Sequence, residues 1–125
     1  DSLNKKTYFY KNFLKNKKKL KSFKFYNLTS DDFFKKRVRG KFDIIYIDGG
    51  HDKTSVIRDA KNSFRVLKKN GLLIFDDLLY EYRNTSNKKK YIESDFVIGG
   101  VLLFLSKFKN VEILYAGHQL IFRKK

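Results

Sequence analysis

Four side chains with acid–base or metal-binding chemistry follow two apolar segments of this 125-residue chain: Asp48, His51, Asp76 and Asp77. Carboxylate oxygens are ligands that Mg²⁺ prefers, and a histidine can accept a proton from a hydroxyl group near neutral pH. The three aspartates could therefore hold one divalent cation. His51 could act as a general base, could orient a carboxylate, or could simply begin a helix. Turn formation and helix capping are the alternatives for the aspartates.

The elements that must position these side chains are two buried parallel strands with a helix between them. Residues 42–47 and 72–75 are rich in apolar residues, and acids follow each segment. Strands about 4.8 Å apart bring these acids to the carboxyl edge of a sheet, where α/β proteins bind ligands. Asp76 and Asp77 can converge there only if the chain leaves the strand, because adjacent strand residues face opposite ways.

The rest of the chain predicts the order α-β-α-β-α-β-α-β-β in one domain, residues 1–125. The helix after the first strand should begin near residues 52–55 and end at Asn70-Gly71, since Gly and Asn accept positive φ. We expect Gly99-Gly100 to allow close helix packing, and His118, in a hairpin turn, to be exposed and inert. The other predicted elements are helices over residues 3–21, 29–37 and 94–109, a strand over residues 22–27, a loop over residues 79–94, and a hairpin of residues 111–115 and 119–123, with Ser94 or Asp95 capping the last helix.

Composition limits the partners. The formal charge is +16, with 29 basic and 13 acidic residues. Such a charge favours nucleic acid or an anionic membrane, although an AT-rich coding sequence would also enrich Lys, Asn, Ile, Phe and Tyr. The chain has no cysteine, so neither a disulfide nor a thiolate metal site can form. This fits a reducing compartment, and we expect a cytoplasmic protein. The longest apolar run, residues 96–105, is too short to cross a bilayer.

Two motifs in sequence order, IIYIDGGH at residues 44–51 and GLLIFDDL at residues 71–78, resemble class I S-adenosylmethionine-dependent methyltransferases. The subgroup they look like comprises small-molecule, metal-dependent O-methyltransferases. The resemblance covers about residues 25–123. It implies an α/β, Rossmann-like fold with a mostly parallel sheet, helices on both faces and a C-terminal antiparallel hairpin. It also implies S-adenosylmethionine as the methyl donor and a hydroxyl of a small molecule or sugar as the acceptor.

The resemblance assigns roles to individual residues. Methyl transfer needs the acceptor oxygen aligned and deprotonated, and Mg²⁺ can help with both. By resemblance, the metal ligands are Asp48, Asp76 and Asp77, the catalytic residues are His51 and Asp48, and the cofactor-binding residues are Ser30, Asp31, Asp48 and Gly49. Ser30 has a helix N-cap as its alternative. Gly49-Gly50 could turn the backbone sharply beside the cofactor, and Asp1 is a weaker candidate for the ribose hydroxyls.

Some features of the family are not found in the sequence. The glycine-rich loop, the first strand and most of the second are absent, and the chain begins at Asp1. We therefore expect an N-terminally truncated and inactive piece of a longer enzyme. The edge of the strand at residues 42–47 would then be exposed, which favours aggregation or a homo-oligomer. The rival functions are a basic nucleic-acid-binding module or RNA methyltransferase, and a dinucleotide-dependent oxidoreductase. The oxidoreductase needs a glycine fingerprint that the sequence lacks.

Overall fold

A computed structural model describes residues 26–36, 41–79 and 96–125, together with residues 11, 12, 15, 16, 22, 24 and 38. Three helices and four strands make up the described part of the chain. In sequence order they are α1 (Ser30–Lys35), β1 (Phe42–Ile47), α2 (Lys53–Val66), β2 (Leu67–Phe75), α3 (Val97–Lys107), β3 (Val111–Ala116) and β4 (Leu120–Lys124). Within these residues, no helix is both long enough and apolar enough to cross a bilayer.

The four strands form one mixed sheet in the order β1-β2-β4-β3. β1 and β2 are parallel, whereas β4 is antiparallel to both β2 and β3. Phe75, the last residue of β2, pairs with Leu120, the first residue of β4. The turn of the β3–β4 hairpin therefore lies at the same edge of the sheet as the carboxyl ends of β1 and β2. This confirms the predicted terminal hairpin and brings its turn to the candidate site.

Helices α2 and α3 pack on one face of the sheet. The apolar residues Ile57, Ala60 and Phe64 of α2 recur at the spacing of one helix face, and they are buried in one core with residues of β2, β4 and α3. Aromatic rings fill the centre: the Phe104 ring stacks on Phe122 at 5.5 Å between centroids and meets Phe64 edge-on at 5.4 Å. Burying a side chain of this size stabilises a fold by roughly 1.5–3 kcal/mol. This core fixes α2 against the sheet and so fixes the loop that precedes α2.

β1 is an edge strand among the described strands. Its residues alternate: Ile45 and Ile47 pack against the core, whereas Ile44 and Tyr46 face the other way and are 59% and 49% exposed. Such a row of apolar side chains beside unpaired backbone groups is the exposed edge that the sequence predicted.

The boundary between α2 and β2 differs from the prediction. The helix ends at Val66 and the strand begins at Leu67, so the predicted helix end at Asn70-Gly71 is wrong. Lys124 of β4 explains the early end, because its ammonium group donates to the carbonyl oxygens of Phe64 at 2.7 Å and Leu67 at 3.0 Å. A cation at this point satisfies carbonyl groups that the last helical turn leaves unpaired.

Asn70, not Gly71, adopts the left-handed conformation here, with φ of 63°. The pairing of β1 with β2 shifts across this segment, since Phe42 pairs with Leu67 but Ile44 pairs with Leu72. The extra residues form a bulge, and asparagine tolerates positive φ better than most residues.

The other boundaries follow the sequence within a few residues. α1 ends at Lys35, earlier than the predicted Arg37, and α3 begins after Phe96, which caps the helix without a side-chain hydrogen bond. Residues 11, 12, 15 and 16 are helical, within the helix predicted for residues 3–21. Residues 22, 24, 26 and 27 are not in a strand, contrary to prediction, because no described strand lies beyond β1 to pair with them. Asp1, the caps Ser94 and Asp95, and residues 80–94 of the predicted loop lie outside the described residues.

Candidate functional site

The three predicted acids lie where the two parallel strands end. Asp48 follows β1, and Asp76 and Asp77 follow β2. The Asp76 amide still donates to the Ile47 carbonyl oxygen at 3.0 Å, which is the last bond between the two strands. Asp77 then takes φ of 50°, so the chain leaves the strand direction at this residue. The turn allows both adjacent carboxylates to face the same edge of the sheet, as the sequence required.

A first cluster joins Asp48, His51 and Asp77. One ligand atom from each lies within 4.8 Å of the others. The His51 Nε2 nitrogen is 3.1 Å from Asp77 Oδ2, and both side chains are about one-third exposed. Asp52 caps the following helix by accepting from the Ser55 amide at 2.9 Å, which holds the preceding His51 at the start of α2. The structure thus places the predicted histidine beside a predicted carboxylate.

A second cluster joins Asp76, Asp77 and His118. His118 Nε2 is 3.2 Å from Asp77 Oδ1 and 3.9 Å from Asp76 Oδ1. The His118 side chain is 72% exposed, as the sequence predicted. It is nevertheless not isolated, because the hairpin turn brings it to the two acids. The His118 carbonyl also accepts from the Leu78 amide at 2.9 Å, which ties the turn to the Asp77 segment.

Asp76 is further held by residues that the sequence did not single out. The Tyr46 hydroxyl donates to Asp76 Oδ2, and the Gln119 amide donates to Asp76 Oδ1 at 3.1 Å and to the Tyr46 oxygen at 3.0 Å. These bonds, with that of Tyr46 the largest, hold the pKa of Asp76 below its usual range. The same bond to a carboxylate raises the pKa of Tyr46 to about 12. Asp76 is therefore ionised at neutral pH and fixed in orientation.

The donor set suits a divalent cation. Carboxylate and imidazole ligands in groups of three are typical of protein metal sites. The predicted trio of Asp48, Asp76 and Asp77 is divided between the two clusters, with Asp77 common to both. Binding of one metal ion by these three acids stays a prediction. Asp77 is the residue that belongs to both clusters.

A wide cleft of about 220 Å³, open to solvent, lies on the other side of Asp48. It is lined by the predicted residues Ser30, Asp48 and Gly49, together with Phe34, Ile45, Tyr46, Ile47, Asp59 and Ser63. Ser30 is not the N-cap of α1, since Thr29 takes that place by accepting from the Asp32 amide. The Ser30 hydroxyl instead donates to Asp59 Oδ1 at 2.8 Å, and Asp59 is only 8% exposed.

Asp31 does not line this cleft. Its carboxylate is paired with the Arg58 guanidinium of α2, at 2.8 Å from the Nε nitrogen. Together with the Ser30–Asp59 bond, this ion pair fastens the first turn of α1 to α2. The cofactor-binding role predicted for Asp31 remains a prediction.

Gly49 and Gly50 serve close packing. No glycine among the described residues has a positive φ. A Cβ at Gly49 would lie 3.2 Å from Asp59 Oδ2, and one at Gly50 would lie 3.0 Å from the Ser55 Cβ. The backbone after β1 can therefore approach α2 closely only without side chains at these positions.

Asp48 and Gly49 separate two cavities. Besides the wide cleft, they line a small cavity of about 10 Å³, room for about one water molecule, whose walls also include His51, Asp76 and Gly50. The two cavities share the residues Ile47, Asp48 and Gly49. Asp48 and Gly49 therefore join the cleft to the part of the edge where His51 and Asp76 lie.

Three residues around the site escaped the sequence-based analysis, namely Tyr46, Asp59 and Gln119. The contacts of His118 with the acids escaped it too. The position of the hairpin residues near the site could have been predicted from the sequence. A final strand antiparallel to β2 must begin beside the carboxyl end of β2, so its turn had to lie near Asp76. Asp59 had a weaker signal: it is the one acid on the buried face of α2, where Ser63 is the other polar residue.

Comparisons with known proteins bear on this geometry. A family model described as a methyltransferase domain matches residues 4–78. A solved structure described as a "putative O-methyltransferase from Klebsiella pneumoniae" is similar with a TM-score of 0.53 and 16% sequence identity. The match covers 78% of this chain and 47% of that protein, so the chain spans about half the length of the solved relative. No curated protein sequence matches the chain.

The structural likeness supports the fold that the sequence motifs predicted, an α/β, Rossmann-like arrangement in which a mixed sheet ends in an antiparallel hairpin. The family model covers more than half of the chain and includes Ser30, Asp48, His51, Asp76 and Asp77. The chain belongs to this methyltransferase domain family.

Proposed function

We propose that this chain takes part in S-adenosylmethionine-dependent methylation of a hydroxyl group on a small molecule or sugar, assisted by a divalent cation. The observation that carries the proposal is the position of Asp48 and Gly49 between the wide cleft and the small cavity that contains His51. Family membership supplies the class of reaction. A methyl transfer needs the acceptor beside the cofactor, and the cleft adjoins the edge of the sheet that carries His51 and the three acids.

The wide cleft is the proposed site of the cofactor. The cleft is open to solvent and combines apolar walls with a few polar groups, as ligand sites do. Apolar walls from Phe34, Ile45 and Ile47 suit a planar base, and the polar groups of Ser30 and Asp59 can form hydrogen bonds with it. When bound, S-adenosylmethionine supplies an electrophilic methyl group.

His51 is the proposed proton acceptor for the hydroxyl group. Asp77, 3.1 Å away, orients the imidazole ring in the way that a carboxylate orients the histidine of other acid–base pairs. Asp48, Asp76 and Asp77 are the proposed ligands of a divalent cation such as Mg²⁺, which would orient the acceptor and favour its deprotonation. Tyr46 and Gln119 keep the Asp76 carboxylate turned toward this edge.

Calorimetric titration of S-adenosylhomocysteine, with and without Mg²⁺, tests the proposal. The chain should bind this product, and Gly49→Val should weaken binding at least tenfold, because it adds carbon atoms at the point that both cavities share. Ala116→Val, on the exposed part of β3, is the matched control. Circular dichroism should show that both variants are folded.

A folded wild-type chain that binds no S-adenosylhomocysteine under either condition would remove the cofactor assignment. Equal affinity of wild type and Gly49→Val for S-adenosylhomocysteine would mean that the cofactor does not bind in the cleft beside Asp48. The family assignment would not be affected.

A further inference from the structure

The basic residues of the described chain gather at one edge of the sheet, opposite the candidate site. At this edge, called the amino edge below, β1 and β2 begin, β4 ends, and helices α2 and α3 end. The exposed basic residues at the amino edge are Lys41, Arg65, Lys69, Lys107, Lys109 and Lys125. The direction of each element thus brings together cations that are far apart in sequence.

Acids at the amino edge are few within the described part of the chain, and they are paired. Asp43 lies 2.8 Å from the Lys68 ammonium group, and Glu112 lies 3.6 Å from the Arg123 guanidinium. The six exposed cations form no ion pair with any other described residue. The remaining described acids lie in α1, at or within α2, or at the carboxyl edge. A lysine-rich composition alone would not separate the charges in this way.

The cations form a row along the amino edge. Lys41 precedes β1, Lys69 lies near the start of β2, and Lys125 follows β4, and these three strands are neighbours in the sheet. With strands about 4.8 Å apart, the four strands span roughly 15 Å. Burial, and then repulsion by Lys41, lowers the pKa of Lys124. The Lys125 amide donates to the Asn110 carbonyl at 2.9 Å, which holds the end of β4 in this row.

A row of unpaired cations suits a linear polyanion. Each strand of a nucleic-acid duplex carries one phosphate charge per about 3.4 Å of its axis. Lysine binds phosphate as a point charge, and such contacts carry no sequence information. Among the described residues at the amino edge, Phe42 is the one large apolar side chain that is exposed, at 39%. The edge therefore offers little surface for stacking on unpaired bases or for entering a bilayer.

We propose that the amino edge binds the phosphate backbone of a nucleic-acid duplex without reading its sequence. This function goes beyond methyl transfer, because Lys41 and Asp48 lie at opposite ends of β1, roughly 20 Å apart for a strand of this length. A duplex on the amino edge would thus leave the candidate site accessible. An anionic membrane surface and a diffuse effect of net charge are the competing explanations.

Fluorescence anisotropy with labelled duplexes of about 20 base pairs, one of RNA and one of DNA, tests the proposal at several salt concentrations. Both duplexes should bind, and affinity should fall as salt rises. The double variant Lys41→Ala with Lys69→Ala should weaken binding at least tenfold at about 0.1 M salt and lower the salt slope by about 2. A preference for one duplex would support the proposal and would identify the source of the phosphates.

The matched control is the double variant Lys53→Ala with Lys61→Ala. It removes the same formal charge from the first turn and the middle of α2, away from the amino edge, and should bind both duplexes like the wild type. Circular dichroism should show that both double variants are folded. Equal weakening in the two double variants would overturn the proposal, because net charge alone would then explain binding.

Absence of duplex binding by the folded wild type would overturn the proposal equally. Binding only to vesicles of phosphatidylserine and phosphatidylcholine would do the same and would identify a membrane surface as the partner. S-adenosylhomocysteine binding is the independent readout. Lys41→Ala with Lys69→Ala should leave it unchanged, so failure of the amino edge and failure of the proposed cofactor site remain distinguishable.

Discussion

Gly100 of α3 lies so close to Val56 of α2 that a Cβ atom on Gly100 would be 2.6 Å from the Val56 Cβ. The same atom would be 2.9 Å from the Lys53 carbonyl oxygen, in the first turn of α2. Val56 and Val97 also line the small cavity with His51. The packing of α3 on α2 therefore determines where the start of α2, and with it the candidate base, lies relative to the sheet.

Gly100→Ala should destabilise the fold by about 1–3 kcal/mol, the usual cost of forcing extra atoms into a packed interface. The contact involves backbone and a β-branched side chain, which cannot rotate away. Urea unfolding followed by circular dichroism measures the change in the free energy of unfolding.

The double variant Gly100→Ala with Val56→Gly is the control for this explanation. Replacing Val56 by glycine removes the Cβ that would lie 2.6 Å from the new Cβ, so the two destabilising effects should be less than additive. Additive destabilisation, or a Gly100→Ala variant as stable as the wild type, would contradict close packing at this point.

Asp52 should make the stability of α2 depend on pH. Hydrogen bonds from the side chain and backbone amide of Ser55 hold the pKa of Asp52 below its usual range. Because the folded-state pKa is lowered, the stabilisation is present above about pH 4 and is lost as the pH falls through the folded-state pKa. Asp52→Ala should cost about 1 kcal/mol at neutral pH, and this difference should shrink in acid.

Urea unfolding of wild type, Asp52→Ala and Asp52→Asn at several pH values tests this cap. Asparagine accepts the same hydrogen bond without titrating, so Asp52→Asn should stay nearly as stable as the wild type at neutral pH. A constant difference between wild type and Asp52→Ala down to pH values well below the usual aspartate pKa would be inconsistent with this assignment.

Tyr46 should ionise later than an ordinary tyrosine. Its hydroxyl donates to the Asp76 carboxylate, which raises the pKa of Tyr46 to about 12. The raised value means that the neutral phenol is favoured in the folded state. Its contribution to stability is therefore complete below about pH 10 and is lost as the pH rises through about 12.

The chain has eight tyrosines, so the measurement is the difference between the tyrosinate absorbance titrations of wild type and Tyr46→Phe. The difference should titrate near pH 12. Tyr115→Phe, which removes another exposed tyrosine, is the comparison. A Tyr46 difference centred at the ordinary value near pH 10 would argue against the bond to Asp76 in solution.

Asp77 should be the most sensitive residue for cation binding because it is common to both clusters. Asp77→Asn should weaken Mg²⁺ binding at least tenfold in a calorimetric titration, since the amide keeps the shape of the side chain but removes its charge. Asp43→Asn is the control: this acid lies near the start of β1 and is paired with Lys68 at 2.8 Å. Equal Mg²⁺ affinity in both variants would exclude Asp77 as a ligand.

The elements around the site were largely predictable from local patterns. The strand of residues 42–47 was predicted with its observed bounds, because it is a short apolar run that ends in an acid and two glycines. The buried face of α2 is marked in the sequence by the helical spacing of Ile57, Ala60 and Phe64. The boundary at Leu67 was not predictable, because Lys124 acts on it from the far end of the chain. Pattern analysis within a window of neighbouring residues cannot register such a contact.

The sequence by itself determined which residues stand at the ends of β1 and β2, since periodicity and glycine placement fix where a strand must stop. It thereby placed Asp48, His51, Asp76 and Asp77 at one edge. The tertiary structure decided which side chains contact one another. Asp77 lies between His51 and His118, and Asp76 accepts hydrogen bonds from Tyr46 and Gln119. That division depends on side-chain directions and on the return of the hairpin to β2. Both are set by packing between segments distant in sequence, and local patterns do not contain them.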